Sequence, residues 1–536
     1  MRSSQALLRI FIDSKERTMQ RNAFKRRALL LALSSLPAVT VAAPSCSDLE
    51  SYLADKATGT LVCFHSDDLR TNNAVTTPAN NSIATFADGT PLPGVSVLGL
   101  PANFGSFTPV TDRGVISNGP APTTSKVPGI QVEGWFADDP THQARFVLRF
   151  PDDWNGKLVV SGASGTRSEY NGDFAWSDYV LPKGYAYASQ NKGVLNFYAV
   201  NFGSATQPAS DPHSCRVNPG ALGGALRLLW VHFYDVEPQK PFTQWTQYML
   251  ATAQLAQGAA KASYRRFPER TYAVGTSNGG YQVRRAIEEA PNLFDGGVDW
   301  EGTYVNPTQN IMIDLPPAVK NMPDYAASNY DPNSVAAQNI LAAGYPPDIV
   351  HRDANGVVTA SLWKNYYNDF WEATICQWQQ HFDPTYDTYT SGPGNYDYLS
   401  RLGNQIDVQT VAAITPTGKI KNPLITVAGT MDALLPIKHQ ARAYEAAVDA
   451  SRKGNNDQRN AQYRLYEVQN GNHIESYITP FPELVLIQPH AQKAFDLLVD
   501  HVEKKAPLPP SQCIPKGGAI TDSPVQAGNC AQLLVP

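Results

Sequence analysis

A serine in a glycine-rich turn is the residue of this 536-residue chain that most clearly could do chemistry. Gly275, Ser277 and Gly279 form a G-x-S-x-G pattern, written GTSNG here. Residues 271–274 read TYAV, as a short buried strand would, and apolar residues recur at helical spacing afterwards until Pro291. A serine held between strand and helix exposes its hydroxyl at the carboxyl end of a sheet. The pattern predicts that Ser277 is a nucleophile; the alternative is an ordinary turn serine.

A nucleophilic serine needs a general base, and His473 is the predicted one. Proteins with this serine turn place serine, acid and histidine in that chain order, each after a strand. Only His473, in YEVQNGNHIES, follows a strand-like segment in a Gly/Asn turn. The other histidines beyond residue 400 lie in or beside predicted helices: His439, His490 and His501.

The acid that orients the base is predicted to be Asp432. It follows the strand-like segment LITVAG and precedes a proline where a helix can begin. The alternative is that Asp432 only caps that helix, a common role for aspartate. Asp299 and Glu301, which follow the preceding predicted strand, are the reserve candidates.

Two backbone N–H groups must stabilise the oxyanion that forms when the serine attacks a carbonyl. The residue after the nucleophile, Asn278, supplies the first. The small-residue turn in VVSGASGTR follows an earlier predicted strand, and its residues Gly162 and Ala163 are predicted to supply the second.

Strand and helix patterns alternate from about residue 143, which predicts an α/β fold with a mostly parallel central sheet covered on both faces. Residues 44–135 are rich in Pro, Gly, Thr and Asn, with apolar pieces such as VSVLGL and IQVEGWF, and predict strands and loops packed on the main body. The predicted segments are a signal peptide at 1–43, this β-rich segment, core residues 136–305, an insert at 306–411, core residues 412–508 and a tail at 509–536.

The N-terminus predicts export. A basic stretch, an apolar run from Ala28 and small residues at 40–43 are typical of a cleaved signal peptide; an uncleaved membrane anchor is the alternative. No later segment is long and apolar enough to cross a bilayer. Six cysteines follow the leader, which in an exported chain predicts up to three disulfides, with Cys513–Cys530 the one suggested by proximity. The others are Cys46, Cys63, Cys215 and Cys376.

With serine, acid and histidine in this order, the chain resembles the α/β-hydrolases over about 140–305 and 412–505. The leader, the large insert and the G-T-M-D-x-L-x-P segment resemble the tannase and feruloyl-esterase group, while TSNGG resembles the serine motif of exported 3-hydroxybutyrate oligomer hydrolases. The tannase group usually has a disulfide joining the residues before the serine and after the histidine; here those positions are Thr276 and Ile474. The chain lacks that disulfide and is at best a side branch of the group.

The insert contains eleven aromatic residues between positions 361 and 400. They predict either a subdomain with its own core or a lid whose rings meet a hydrophobic substrate, and we expect both for different rings. The resemblance implies a lid that selects aromatic acyl esters and often holds calcium. Asp383, Asp387 and Asp397 could hold that ion, although aspartates in such loops are more often solvated turns.

Together these features predict an exported serine esterase that needs no cofactor, with Ser277, His473 and Asp432 as its triad. The expected partner is a small or oligomeric ester, either an aromatic acyl ester or a hydroxyalkanoate oligomer. A serine peptidase or amidase on the same fold, and a non-catalytic binding protein, are the alternatives. A formal net charge of -5 gives no reason to expect nucleic acid or an anionic membrane. The oligomeric state does not follow from the sequence.

Overall fold

The computed structural model describes residues 44–70, 125–165, 169–170, 172–195, 198–217, 229–237, 239–455 and 462–536. The predicted signal peptide and the VSVLGL segment lie outside these residues. Eleven strands in this part of the chain form one large sheet. They are β1 (Ala57–Ser66), β2 (Gly129–Phe136), β3 (Arg145–Pro151), β4 (Lys157–Gly162), β5 (Ala186–Gln190), β9 (Arg270–Thr276), β10 (Gly296–Trp300), β13 (Leu424–Gly429), β14 (Tyr463–Val468), β15 (Gln512–Ile514) and β16 (Gln526–Ala527).

The strand order is β1-β2-β3-β5-β4-β9-β10-β13-β14-β15-β16. Neighbours from β5 to β15 run parallel, and the antiparallel pairs lie at the two ends of the sheet. The central strands are buried along their whole length, as expected for a sheet covered on both faces. This confirms the predicted α/β fold and brings the carboxyl ends of β4, β9, β10, β13 and β14 to one edge.

Helices cover this sheet and form most of the insert. The helix after the serine turn lies where the sequence predicts it, before Pro291. The helices are α1 (Cys46–Leu53), α2 (Asp178–Val180), α3 (Thr243–Tyr264), α4 (Asn278–Glu289), α5 (Ile311–Ala327), α6 (Val335–Ala342), α7 (Leu362–Tyr366), α8 (Glu372–Phe382), α9 (Thr388–Ser391), α10 (Tyr398–Arg401), α11 (Val408–Ala413), α12 (Ala441–Asn455) and α13 (Gln488–Lys504). Shorter 3-10 and π segments occupy Asp173–Ser177, Leu181–Lys183, Tyr234–Val236, Tyr367–Trp371, Pro393–Asn395 and Glu475–Ile478.

The N-terminal part of the described chain joins the main sheet. IQVEGWF forms β2, as predicted, and β2 pairs with both β1 and β3. The helix α1 was not predicted, because residues 44–135 were interpreted together as Pro/Gly-rich, although 46–53 contain neither residue and place Leu49 and Leu53 at helical spacing. Ser45 caps α1 by accepting the N–H of Asp48, and Cys46 at the start of the helix is joined to Cys63 of β1.

A second, smaller sheet was also missed by the sequence interpretation, which assigned its residues to the core. It contains β6 (Tyr198–Phe202), β8 (Leu229–His232) and β7 (Ser214–Val217), in that order. The Cys215–Cys376 disulfide joins β7 to α8 of the insert, and Arg216 forms a two-point ion pair with Glu372. This sheet therefore packs on the insert rather than extending the main sheet. The third disulfide, Cys513–Cys530, is the one predicted from proximity.

Most of the aromatic residues of the insert form a hydrophobic core. Seven of the eleven rings are buried, and they pack in one cluster with residues of the loops after β13 and β14, including Met431 and Ile474. The remaining four are half-buried. A hairpin of β11 (Val350–Arg352) and β12 (Val358–Ser361) completes the insert. The core role therefore accounts for most of these rings. Among the described residues, no helix has the length and apolar character that a membrane span requires.

Candidate active site

Ser277 lies in the sharp turn between β9 and α4 that the sequence predicts. Its backbone has φ 59° and ψ -123°, a conformation with positive φ that a non-glycine residue adopts only at an energetic cost. The Ser277 N–H donates to the carbonyl of Trp300 at the end of β10, and its own carbonyl accepts the N–H of Tyr281. The surrounding structure thus holds this strained turn in place, as expected for a nucleophile at the carboxyl edge of a sheet.

Glycines let the end of β4 approach the serine turn closely. A Cβ atom added at Gly279 would overlap the carbonyl oxygen of Gly162, and one added at Gly162 would lie 2.8 Å from the carbonyl oxygen of Gly279. Real Cβ atoms do not approach a backbone oxygen this closely. The two turns that were predicted to form the oxyanion site are therefore in direct backbone contact.

Gln282 links the same two turns through its side chain. Its Nε2 donates to the carbonyl of Ala163 at 2.8 Å and to the carbonyl of Asn278 at 3.1 Å. Its Oε1 accepts from Nε2 of Gln190, and both glutamines are fully buried. The Asn278 N–H lies in the first turn of α4, where no carbonyl of the preceding turn is available to it. The sequence interpretation did not identify Gln282; its position five residues after the serine, inward on α4, was the available signal.

His473 and Asp432 meet at the carboxyl ends of β14 and β13. Nδ1 of His473 lies 2.7 Å from Oδ2 of Asp432, and both side chains are almost completely buried. An imidazole that donates from Nδ1 has Nε2 free to accept a proton. The other oxygen of Asp432 accepts the N–H groups of Leu434 and Leu435 at 2.8 and 2.6 Å. Asp432 therefore has the predicted partner and the alternative capping contacts at the same time.

The loops that carry these two residues are joined to each other. The N–H of Met431 donates to the carbonyl of Gly471 at 2.8 Å, and the N–H of Thr430 donates to the carbonyl of Val468 at 3.0 Å. Asn470, which has φ 63°, donates from Nδ2 to the carbonyl of Val535 at 2.7 Å. The C-terminal tail, which the sequence left without a role, thus supports the turn before His473.

A second carboxyl group lies beside the same imidazole. Oε2 of Glu301 is 3.4 Å from Nδ1 of His473, and Oε1 accepts the N–H of Gly429 at 3.0 Å. Asp299, the other reserve candidate, instead forms a buried ion pair with Arg284 and accepts from Thr426 and Gly302. Of the two reserve candidates, the structure thus places only Glu301 at the histidine.

Burial and charge act in opposite directions on His473. Burial alone would lower the pKa of this imidazole, but the charge and hydrogen bond of Asp432, with smaller contributions from Glu301 and Glu475, raise it to about 9. For Glu301, burial is the larger effect and the neighbouring charge of Asp432 adds to it, so its pKa is raised well above the usual range. The three side chains have potential ligand atoms within 4.8 Å of one another. Two of these atoms, Nδ1 of His473 and Oδ2 of Asp432, form the hydrogen bond described above.

Ser277 and His473 belong to one hydrogen-bonded framework, although the described residues show no hydrogen bond between their side chains. The Ser277 N–H is bonded to Trp300, the next residue is Glu301, and the Glu301 N–H donates to Val427 of β13 at 2.9 Å. The serine, the two carboxyls and the histidine therefore follow consecutive parallel strands of the sheet. The other C-terminal histidines lie elsewhere: His439 contacts Ala343 and Asp314, and His501 contacts Ala506.

The insert contacts both loops of the site. Nε1 of Trp371 donates to the carbonyl of Ala433 at 2.7 Å, and the hydroxyl of Tyr366 donates to Oδ1 of Asn472 at 2.8 Å. Of two cavities of about 320 and 310 Å³, the first lies between the insert and the start of α3 and the second is lined by insert residues alone; neither is lined by Ser277, Asp432 or His473.

The three aspartates considered for calcium have other contacts. Asp383 is bound by Arg401, Thr385 and Tyr396, while Asp387 and Asp397 cap short helices. Calcium in the insert stays a prediction.

The strand order, the strained serine turn and the positions of the acid and the histidine define an α/β-hydrolase fold. Residues 401–533 match the family model described as 3HB-oligomer hydrolase. This segment contains Asp432 and His473 and begins after Ser277.

The similarity to 3-hydroxybutyrate oligomer hydrolases is confined to part of the chain. The D-(-)-3-hydroxybutyrate oligomer hydrolases of Burkholderia thailandensis and Burkholderia mallei are 33% identical to it over 129 residues, which is 23% of this chain. The chain covers 17% of the length of these curated relatives.

Solved structures align with most of the chain at low identity. Feruloyl esterase B from Aspergillus oryzae aligns with a TM-score of 0.45 and 10% identity, covering 86% of this chain and 90% of the esterase. Tannin acyl hydrolase from Aspergillus niger aligns with a TM-score of 0.40 and 12% identity, covering 80% and 87%. We base the fold assignment on the strand order and not on these alignments.

Proposed function

We propose that the protein is an exported serine hydrolase of carboxylic esters. The observation that carries this proposal is the buried His473–Asp432 pair, with Nδ1 and Oδ2 2.7 Å apart, at the sheet edge where Ser277 occupies a strained turn. The match of residues 401–533 to the 3HB-oligomer hydrolase family supports the ester class. The three disulfides of the described chain support export, because such bonds persist in oxidising compartments.

The proposed reaction has two halves. Nε2 of His473 accepts the proton of the Ser277 hydroxyl as the oxygen attacks the ester carbonyl, and Asp432 stabilises the imidazolium that results. The N–H groups of Asn278 and Ala163 donate to the oxyanion. The imidazolium then gives its proton to the leaving alcohol, which leaves an acyl-serine. Water attacks this ester with His473 again as base, releasing the acid and restoring Ser277.

For the substrate we favour short oligomers of 3-hydroxybutyrate. The family match supports this class directly. Aromatic acyl esters, predicted from the resemblance to the tannase and feruloyl-esterase group and from the many rings of the insert, are the second class. Because seven of those eleven rings are buried in a core, few are available to meet a substrate.

The test compares esters and an amide on the purified protein and on Ser277→Ala. The expected substrates are a linear 3-hydroxybutyrate trimer and p-nitrophenyl butyrate, with methyl ferulate and alanine p-nitroanilide as comparison compounds. We expect Ser277→Ala to lower kcat by at least ~1000-fold. Ser263→Ala, which removes a buried hydroxyl on α3, is the matched control and should leave kcat unchanged. Ester hydrolysis that survives in Ser277→Ala would refute the nucleophile, and faster amide than ester cleavage would favour a peptidase.

A further inference from the structure

Two carboxyl groups compete for one imidazole N–H in this site. Nδ1 of His473 lies 2.7 Å from Oδ2 of Asp432 and 3.4 Å from Oε2 of Glu301. A single N–H donates well to only one acceptor, and the distances assign it to Asp432. All three residues are at most 3% exposed.

The surroundings of Glu301 favour its neutral form. The titratable groups that face it are Asp432 and His473, with Glu475 from the following segment and Tyr366 from the insert. Two ionised carboxylates beside one imidazole would leave this buried site with a net negative charge whether the imidazole is neutral or protonated, an arrangement that proteins avoid by retaining a proton. Oε1 of Glu301 accepts the Gly429 N–H, while Oε2 is buried without a hydrogen-bond partner among the described residues. The proton therefore belongs on Oε2.

The backbone conformation and hydrogen bonds of Glu301 also fix its position. Its φ is 52°, a conformation that costs energy for a residue with a side chain. Its N–H is fixed by Val427, and the preceding residue, Trp300, accepts the N–H of Ser277. Glu301 follows β10, which lies between β9 and β13 in the sheet, and its carboxyl faces the imidazole of His473.

We propose that Glu301 is a reserve acid of the proposed triad: it is protonated while Asp432 holds His473, and it ionises and accepts the Nδ1–H when the charge of Asp432 is removed. This proposal rests on the proposed function. Glu301 is a positioning residue in this sense, because it acts on the substrate only through the imidazole.

The test is a double-mutant cycle of Asp432→Asn and Glu301→Gln, with kcat and KM measured on p-nitrophenyl butyrate across pH. Glutamine resembles a protonated glutamate, so Glu301→Gln should lower kcat far less in the wild-type protein than it does in Asp432→Asn. Removing the acid of a triad costs ~10⁴-fold when nothing replaces it. With Glu301 available, we expect Asp432→Asn to lose only about 10- to 100-fold and the double variant to fall by ~10⁴-fold.

The result that would overturn the proposal is additivity. Glu301 does not replace the acid if Glu301→Gln changes kcat by the same factor in the wild-type protein and in Asp432→Asn. The same conclusion follows if Asp432→Asn is already as slow as the double variant. Glu133→Gln is the matched control, because Glu133 is another buried carboxyl, on β2, far along the sheet from β10. Adding Glu133→Gln to Asp432→Asn should leave the kcat of that variant unchanged. The Tm of each variant checks that the fold is kept.

A second measurement does not depend on activity. At about pH 8, where ordinary carboxyls are ionised, infrared spectra should show the carbonyl band of a protonated acid that is lost in Glu301→Gln. Absence of that band would overturn the proposal even if the enzyme is active. If instead the band is present but Ser277→Ala leaves ester hydrolysis intact, the proposed function has failed and the protonation of Glu301 still stands.

Discussion

Replacing Gln282 with leucine should slow catalysis without weakening substrate binding. The side chain is fully buried and donates at 2.8 and 3.1 Å to the carbonyls of Ala163 and Asn278, in the two turns that are proposed to supply the oxyanion N–H groups. Leucine keeps much of the volume and removes both of these hydrogen bonds, together with the one that Gln282 accepts from Gln190. A shift of ~1 Å in a catalytic group costs ~100-fold, and complete loss of one oxyanion donor costs ~100- to 1000-fold. We therefore expect kcat to fall about 10- to 100-fold.

The division between kcat and KM is what identifies the role of Gln282. The oxyanion carries its charge only in the transition state, so KM on p-nitrophenyl butyrate should change by less than about threefold. Gln257→Leu is the matched control, because Nε2 of Gln257 also donates twice, to Thr271 at 3.0 Å and to Leu293 at 3.1 Å, but on α3. Each change should cost ~1–3 kcal/mol of stability. Equal kcat values for the two variants, or a higher KM with unchanged kcat, would refute the reasoning.

Four further predictions concern the site and its support. Because the pKa of His473 is raised to about 9, kcat/KM should rise with pH towards 9, and a profile that levels off near 6.5 would contradict the Asp432 contact. The same shift from 6.5 should stabilise the fold by ~3 kcal/mol below pH 6.5, and this contribution should be lost as pH rises through 9; denaturant unfolding of wild type and His473→Gln measures it. Gly162→Ala should lower kcat, because the added Cβ would lie 2.8 Å from the Gly279 carbonyl oxygen, whereas Gly165→Ala has open space and should not. Replacing Cys215 and Cys376 by serine should lower stability by up to ~5 kcal/mol, since the bond closes a separation of 161 residues, and a Tm unchanged from wild type would show that the bond adds nothing.

The positions of Ser277, Asp432 and His473 after their strands follow from local signals in the sequence. The strand before Ser277 and the helix after it are adjacent in the chain, and Asp432 and His473 each follow a strand that is recognisable alone. Parallel pairing then places their carboxyl ends at one edge without further information. The Asp432–His473 contact is the consequence.

What the sequence did not predict depends on register and on distant parts of the chain. The sequence named both Asp299 and Glu301 as reserve candidates; Glu301 is the one that faces His473 because β10 pairs with β13 in one particular register, and no local pattern fixes that register. Gln282 is one polar residue on a buried helix face, and only its two carbonyl partners show its role. The Cys215–Cys376 bond joins segments 161 residues apart, where six cysteines allowed fifteen pairings.

The insert shares one hydrophobic core with the loops after β13 and β14, which carry Asp432 and His473. Under the proposed function, this shared core bears on how a substrate could enter. Met431, Ala433 and Ile474 pack in the same cluster as the buried rings of the insert, and Trp371 and Tyr366 hydrogen-bond to those loops. Swinging the insert away as one body would break these buried hydrogen bonds, at ~1–3 kcal/mol each, and would expose the shared core to water. It would also release the loops that hold Asp432 and His473 in contact. Access through movement of half-buried side chains of the insert keeps both loops in place, and it is therefore the mode of entry that the packing favours.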